Sequence, residues 1–417
     1  MRAPDETAGL ERPVAGMRSL PLLIAGLSMI GPFAIDTYLP SFPEMETSLR
    51  ASTVQVQQSL TAYLVPFALM SLWHGSISDA LGRRRVVLVS LVVLALTSVG
   101  CALAPNIHVL WFFRALQGIA SCAGFVVGRA IVRDLYEGHQ AQRVLAQVTV
   151  IFTIAPAVAP VLGGWLQEWF GWRSNFYFLA LFAVGMCVWS LLSLPETLHP
   201  ERRQPLNPAF LLRSYVRTLT HRRFLAAAFA ASLNFTAIFL YISSAPVFLM
   251  QHLHLRETQF FWLFGPVTAG MMIGALTAGK LAGRITPVQT LAIGYGAMVG
   301  AALVNVGFHA LQTAALPWSV APLFLYSAGM AFSLPTLVLF GLDIFPDQKG
   351  LAASCQAFLM TSINALTAGV LSPLANASPL RLALTSATLT ALGLAGTLLY
   401  FKRDSAPRAQ TAVASAA

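Results

Sequence analysis

The chain has 417 residues, 56% hydrophobic and only 10% charged, with a mean hydropathy of +0.68 and a formal net charge of +10. That balance excludes an ordinary water-soluble domain, whose surface needs far more charge. The four cysteines and eight histidines show no C-x-x-C, H-E-x-x-H or other ligand spacing, which argues against a metal or thiol enzyme. A hydrocarbon slab of about 30 Å takes roughly 20 apolar residues per helix. Such stretches recur at 19–41, 54–75, 86–104, 109–131, 143–167 and 174–194, then at 223–250, 258–282, 287–309, 317–341, 351–374 and 380–401. The expected fold is therefore an all-α membrane protein of twelve transmembrane helices in two six-helix bundles.

The segment 1–18 is polar, and the first apolar run is long enough to span, so a retained N-terminal tail is expected rather than a cleaved leader. A first bundle covers 19–194, a Pro- and Arg-rich linker 195–222, a second bundle 223–401, and a C-terminal tail 402–417. Gly82-Arg83 after the second span and Gly283-Arg284 after the eighth stand about half a chain apart. That echo suits two bundles related by an axis along the membrane normal.

Most of the 26 Lys and Arg residues fall on one side of this topology, among them Arg2, Arg12, Arg18, the Arg83 to Arg85 run, five arginines of the linker with the adjoining Arg223, and Lys402 and Arg403. The opposite side holds only Arg50, Arg173, Arg256 and Arg381, and Arg114 and Arg129 lie within the fourth span. The positive-inside rule makes the basic side, with both termini, cytoplasmic. The positive charge is thus a topology signal that also meets anionic lipid heads, and no nucleic-acid partner is expected.

Of the sixteen acids, Asp36 alone lies deep in an apolar span, within Asp36-Thr37-Tyr38-Leu39-Pro40-Ser41-Phe42-Pro43. It stands about seven residues from Pro43, or roughly 10 Å from the outer boundary at 1.5 Å per residue. Desolvation there favours the neutral carboxyl and a nearby arginine the charged one, so opening the site to one face or the other changes its hold on a proton. The competing reading is a carboxylate that caps the irregular helix end before Pro40. The D-x-Y-L-P-x-x-P pattern resembles that of Bcr/CflA-type drug exporters.

After the second span, Gly75-Ser76-Ile77-Ser78-Asp79-Ala80-Leu81-Gly82-Arg83-Arg84-Arg85 resembles the G-x-x-x-D-R-x-G-R-R loop of the major facilitator superfamily, with Ala80 where the family usually has Arg. The resemblance implies a conformational latch of Gly75, Asp79, Gly82, Arg83 and Arg84 against the start of helix eleven near Gly350. The plainer reading is a cytoplasmic anchor loop. In the fourth span, Arg114-Ala115-Leu116-Gln117-Gly118 resembles the family's R-x-x-Q-G signature. An unpaired arginine there costs about 2.5 kcal/mol or more unless it faces a cavity or partner, or snorkels outward. Arg114 and Asp36 reach similar depths, and the pair is expected to carry proton coupling.

In the fifth span, Ala155-Pro156-Ala157-Val158-Ala159-Pro160-Val161-Leu162-Gly163-Gly164 resembles the antiporter signature G-P-x-x-G-G, with Ala159 for the first Gly. Pro156 and Pro160 remove donors one turn apart, and Gly163 and Gly164 permit close helix approach. Ala130-Ile131-Val132-Arg133-Asp134, Leu194-Pro195-Glu196-Thr197-Leu198 and Ser244-Ala245-Pro246 add to the Bcr/CflA resemblance, which covers the first half densely and the second thinly.

What this resemblance implies is export of phenicol-, sulfonamide- or bicyclomycin-like compounds in exchange for protons, with no cofactor, from a bacterial inner membrane, by a protein that works as a monomer among membrane lipids. A drug pocket is mostly apolar and aromatic. Candidate substrate contacts are Tyr38, Tyr63, Phe67, Gln117, Asn234, Phe235, Phe239, Tyr241 and Phe358. A metabolite transporter on the same fold is the first alternative. A polytopic membrane enzyme is the second, and it lacks a convergent acid-base or nucleophile set in the spans.

Overall fold

The computed structural model describes residues 19–203 and 205–414. Among these, every regular element is helical, and twelve helices are long and apolar enough to cross a membrane. In chain order they are α1 Leu20–Asp36, α2 Thr53–Leu81, α3 Arg83–Ala102, α4 Ile107–Leu135, α5 Gly138–Phe170 and α6 Arg173–Ser193, followed by α7 Arg222–Ser243, α8 Phe261–Leu281, α9 Pro287–Leu311, α10 Ala321–Leu342, α11 Lys349–Leu366 and α12 Pro379–Ala414. The expected tail 1–18, with Arg2, Arg12 and Arg18, lies outside the described residues.

Local chemistry starts and stops these helices. Ser52 with Gln55 and Thr286 with Gln289 form capping boxes at α2 and α9, and Asn106 caps α4 by accepting from the Val109 amide. Gly82 and Gly283, the two glycines of the half-chain echo, both take positive φ, +96° and +77°. An L side chain is strained in that conformation, so each tight reversal calls for glycine.

Three spans break earlier than their hydropathy suggests, each next to proline. Regular helix in α1 ends at Asp36; the Thr37 hydroxyl donates to the Phe33 carbonyl at 2.6 Å, and a 3-10 turn at Leu39–Ser41 leads into a short helix, Phe42–Leu49. After α7 the chain widens into a π-turn over Pro246–His252, and after α11 it does so over Thr367–Leu371, just ahead of Pro373. Proline has no N–H and crowds the carbonyl four residues back, which displaces the regular ladder. The linker holds an amphipathic helix, Pro208–Leu219, whose 12 residues are too few to cross a membrane.

In the first half α2 packs on α4, α3 on α4 and α6, and α1 on α5; in the second, α8 and α9 pack on α10, and α7 on α12. The halves meet along α2 with α11 and α5 with α8. The outer shell is apolar: Leu192 and Leu311 are each 82% exposed and Leu181 is 72% exposed. Lipid tails accept such a surface, whereas water would not. Trp165 and Trp169 stack near the end of α5 with their faces exposed, as in an interfacial aromatic belt.

Candidate functional site

Asp36 is the one acid in the buried set among the described residues, at 4% exposure. Its Oδ1 has no hydrogen-bond partner, and no described arginine or lysine pairs with it. The chain on either side of it is gripped by other helices. Two residues before it, the Ala34 carbonyl accepts from Arg114 Nη1 at 3.0 Å. One residue after it, the Thr37 carbonyl lies so close to α5 that a Cβ placed on Gly163 would come within 1.7 Å of it. Only glycine permits that approach.

Arg114 is fully buried, so the outward-snorkelling alternative does not hold. It stays within the first bundle. Besides the Ala34 carbonyl it donates to Gln117 Oε1 at 2.7 Å, to the Ser59 carbonyl at 3.4 Å and to the Tyr38 hydroxyl at 3.4 Å. Its guanidinium sits over the Tyr38 ring at 4.6 Å and the Tyr63 ring at 4.5 Å, a double cation–π contact. Gln117 in turn donates to Ser98 at 2.8 Å, and Tyr38 pairs with Ser59 at 3.0 Å. Thus Arg114 reaches the backbone of helix one beside Asp36 and makes no ion pair with it.

The structure divides the nine aromatic and polar residues expected to touch substrate. Tyr38, Tyr63 and Gln117 surround Arg114, and Phe67, half-buried, tilts against Tyr63 with centroids 5.8 Å apart. Asn234 and Tyr241 turn into the second bundle: Asn234 Nδ2 donates to the Tyr295 hydroxyl at 2.8 Å, and the Tyr241 hydroxyl accepts from Asn305 at 2.7 Å. Phe235 and Phe239 stack at 6.5 Å, and Phe358 is half-buried on α11.

At the face that carries the linker, three motifs converge on Arg83. Its side chain pairs with Asp79 at 2.6 Å and with Asp134 at 3.0 Å, while its amide donates to Glu196 Oε1 at 2.9 Å. Thr197 also donates to Asp134, and Arg84 reaches the Leu191 carbonyl at 2.8 Å. Asp79, Gly75 and the start of α11 at Gly350 line one cavity of about 390 Å³. The carboxylate thus shares a space with α11 but pairs with Arg83 rather than capping that helix, which has no side-chain cap. Tyr215 of the linker helix closes over this cavity and donates to the Leu72 carbonyl; burial holds its phenol above the usual value, so it stays a donor.

At the opposite face the halves are joined. Gln57 of α2 donates to the Ser243 carbonyl at 3.1 Å and to the Ser372 hydroxyl, and its Oε1 accepts from Asn376 at 3.4 Å. His252 Nε2 donates to the Asn376 carbonyl at 2.8 Å, and Ser244 and Ser372 pair at 2.6 Å. On α5, Pro156 and Pro160 lie inside the helix, and Gly164 backs onto the Glu257 carbonyl of the second half. The molecule is closed on the face away from the linker, and a cavity of about 390 Å³ lies on the linker face.

Sequence reasoning did not find Gln57, Ser59, Ser98, Thr37 or Ser372. Gln57 carries no distinguishing mark in the sequence, because it is one of three glutamines at 55, 57 and 58 in a polar stretch. The others are small hydroxyl residues that membrane helices tolerate anywhere, and only their partners distinguish them.

The comparisons agree with this architecture. The family model described as "Major Facilitator Superfamily" matches residues 24–368. An uncharacterized MFS-type transporter of Bacillus subtilis is 31% identical over 92% of this chain and 94% of its own. A bicyclomycin resistance protein homolog of Haemophilus influenzae is 31% identical over 54% of this chain and 57% of its own, and a chloramphenicol resistance protein of Pseudomonas aeruginosa is 28% identical over 74% and 73%. Among solved structures, a bacterial homolog of the human lysosomal transporter Spinster, in an inward-facing and unoccupied conformation, superimposes with a TM-score of 0.67 at 15% identity, covering 94% of this chain and 97% of that one. With its two packed sets of six helices, the converged loop around Arg83 and a family match over most of its length, this chain belongs to the major facilitator superfamily, a multi-pass membrane transporter rather than an enzyme.

Proposed function

We propose that the chain is a proton-coupled exporter of small, largely apolar antimicrobial compounds, working by alternating access in a bacterial inner membrane with the linker face toward the cytoplasm. The observation that carries this reading is Asp36, the one buried acid among the described residues, left without an ion-pair partner at the point where α1, α4 and α5 meet. A charge in that setting is costly, and binding a proton removes the cost. Resistance to bicyclomycin and chloramphenicol, named for two relatives, supports drug-like cargo. The basic loops on the linker face support its cytoplasmic placement.

In this reading Asp36 carries the proton. Arg114 holds helix one in place through the Ala34 carbonyl, and the approach of Gly163 to Thr37 transmits movement of α5 to the same segment. Phe67, Phe235, Phe239 and Phe358 offer the apolar surface for cargo, with Tyr38, Tyr63 and Gln117 behind them and Asn234 and Tyr241 shaping the second bundle. Gly75, Asp79, Gly82, Arg83 and Arg84 form the conformational latch, released here because the outer face is joined. The buried hydrogen bonds within the bundles, and those of Gln57 between them, are all made within one chain, which suits function as a monomer. Everted vesicles with an imposed pH gradient test the proposal: drug uptake should rise with an acidic interior and collapse when a protonophore dissipates the gradient. Uptake indifferent to the gradient refutes it.

A further inference from the structure

The linker-face cavity carries a charge balance that the transport reading does not use. Arg83, Arg129 and Arg133 line it together with Asp79 and Asp134. Arg83 engages both carboxylates, at 2.6 and 3.0 Å. Neither Arg129 nor Arg133 forms an ion pair among the described residues, and three guanidinium groups against two carboxylates leave this lining one positive charge in excess. Arg129 lies over the Phe125 ring at 4.1 Å, which orients the guanidinium without neutralising it. Arg133 follows one helical turn later on the same face, so it adds to the charge rather than offsetting it. Nearby, the Glu196 carboxylate accepts from the amides of Arg83 and Leu198 outside the cavity lining, and Lys349 pairs with Asp343 at 3.1 Å. The start of α11, which has no side-chain cap, lines the same space at Gly350 and Leu351 with the positive end of its dipole.

We propose that this cavity binds an anionic amphiphile. Its carboxylate or phosphate sits between Arg129, Arg133 and the first turn of α11, and its apolar body lies along Leu72, Val126 and Ala357. Two guanidinium groups with free donors match the fork geometry of such an anion. A volume of about 390 Å³ accommodates a small organic acid. The anion comes either from a dissolved organic acid or from an acidic lipid whose headgroup enters between the helices.

Binding is tested on the purified full-length protein in phosphatidylcholine nanodiscs by calorimetry, with 4-phenylbutyrate and its methyl ester as matched probes. The acid should bind at least tenfold more tightly than the ester. Arg129→Gln with Arg133→Gln should erase that preference while leaving ester affinity unchanged, which also shows an intact cavity. Arg129→Lys with Arg133→Lys should retain it. Adding phosphatidylglycerol to the nanodisc separates the sources: competition with the acid identifies the lipid headgroup as occupant, and unchanged acid binding identifies the dissolved acid. An acid preference absent from the native protein, or one that survives the double glutamine substitution, overturns the proposal. No transport is required, so failure of drug export leaves this result standing, and the reverse.

Discussion

A buried guanidinium survives only if its donors are met, and Arg114 meets them with two backbone carbonyls, an amide and a phenol between two tyrosine faces. Arg114→Ala leaves the buried Gln117 Oε1 and the Ala34 carbonyl without that donor. The expected cost is about 2–3 kcal/mol, read as a lower melting temperature of the purified protein, with Arg114→Lys restoring only part. An unchanged melting temperature in Arg114→Ala would show that these bonds are not holding the bundle. Asp36 makes the opposite case. With Oδ1 unpartnered, Asp36→Asn removes a buried ionisable group and no ion pair. Melting should be unchanged or higher, while proton-driven transport is lost. Both residues were legible in the sequence, because a charge in a long apolar run is rare. Their separation was not: equal depth on two helices does not specify rotation about either axis, and Arg114 turns to the backbone of Ala34 rather than to the carboxyl.

Among helices, α5 couples the two halves. Gly163 abuts the Thr37 carbonyl of the first half and Gly164 the Glu257 carbonyl of the second. Gly163→Ala forces a shift of several tenths of an ångström or more at the segment beside Asp36, and transport should fall by an order of magnitude or more. Gly185→Ala on α6, where an added Cβ meets nothing within 4 Å, should leave transport near the native level. Equal effects of the two substitutions would sever α5 from the site. The small-residue motif on α5 pointed to close approach from sequence, but its partner did not, since two carbonyls leave no mark in side-chain spacing. The twelve spans were visible as apolar runs. Their early ends at Asp36, Ser243 and Leu366 were not, because hydropathy continues through a turn whose hydrogen-bond register has changed.

At the scale of the whole molecule, α2 bridges the halves near one face: Gln57 reaches the Ser243 carbonyl of α7 and the Ser372 and Asn376 side chains that follow α11, and Thr61 donates to the Ala365 carbonyl at 3.4 Å. Gln57→Ala should loosen this closure. Spin labels at Val54→Cys and Leu374→Cys, both exposed positions near that face, should then report a longer mean separation by pulsed electron resonance than in the native background. An unchanged distance would assign the closure to the other contacts between the halves. The sequence pointed to two bundles and a linker, and its resemblance to the major facilitator superfamily implied a place for Asp79 near the start of α11. Which face is closed depends on a few hydrogen bonds between distant segments, a balance of small energies that no local pattern records. The most direct test of drug-for-proton exchange uses proteoliposomes with an imposed pH gradient and a chloramphenicol-like substrate, comparing native protein with Asp36→Asn. Native protein should drive substrate against its gradient and move protons the other way, and Asp36→Asn should bind substrate without either flux being coupled. Normal coupling in Asp36→Asn would contradict the assignment of the proton to Asp36.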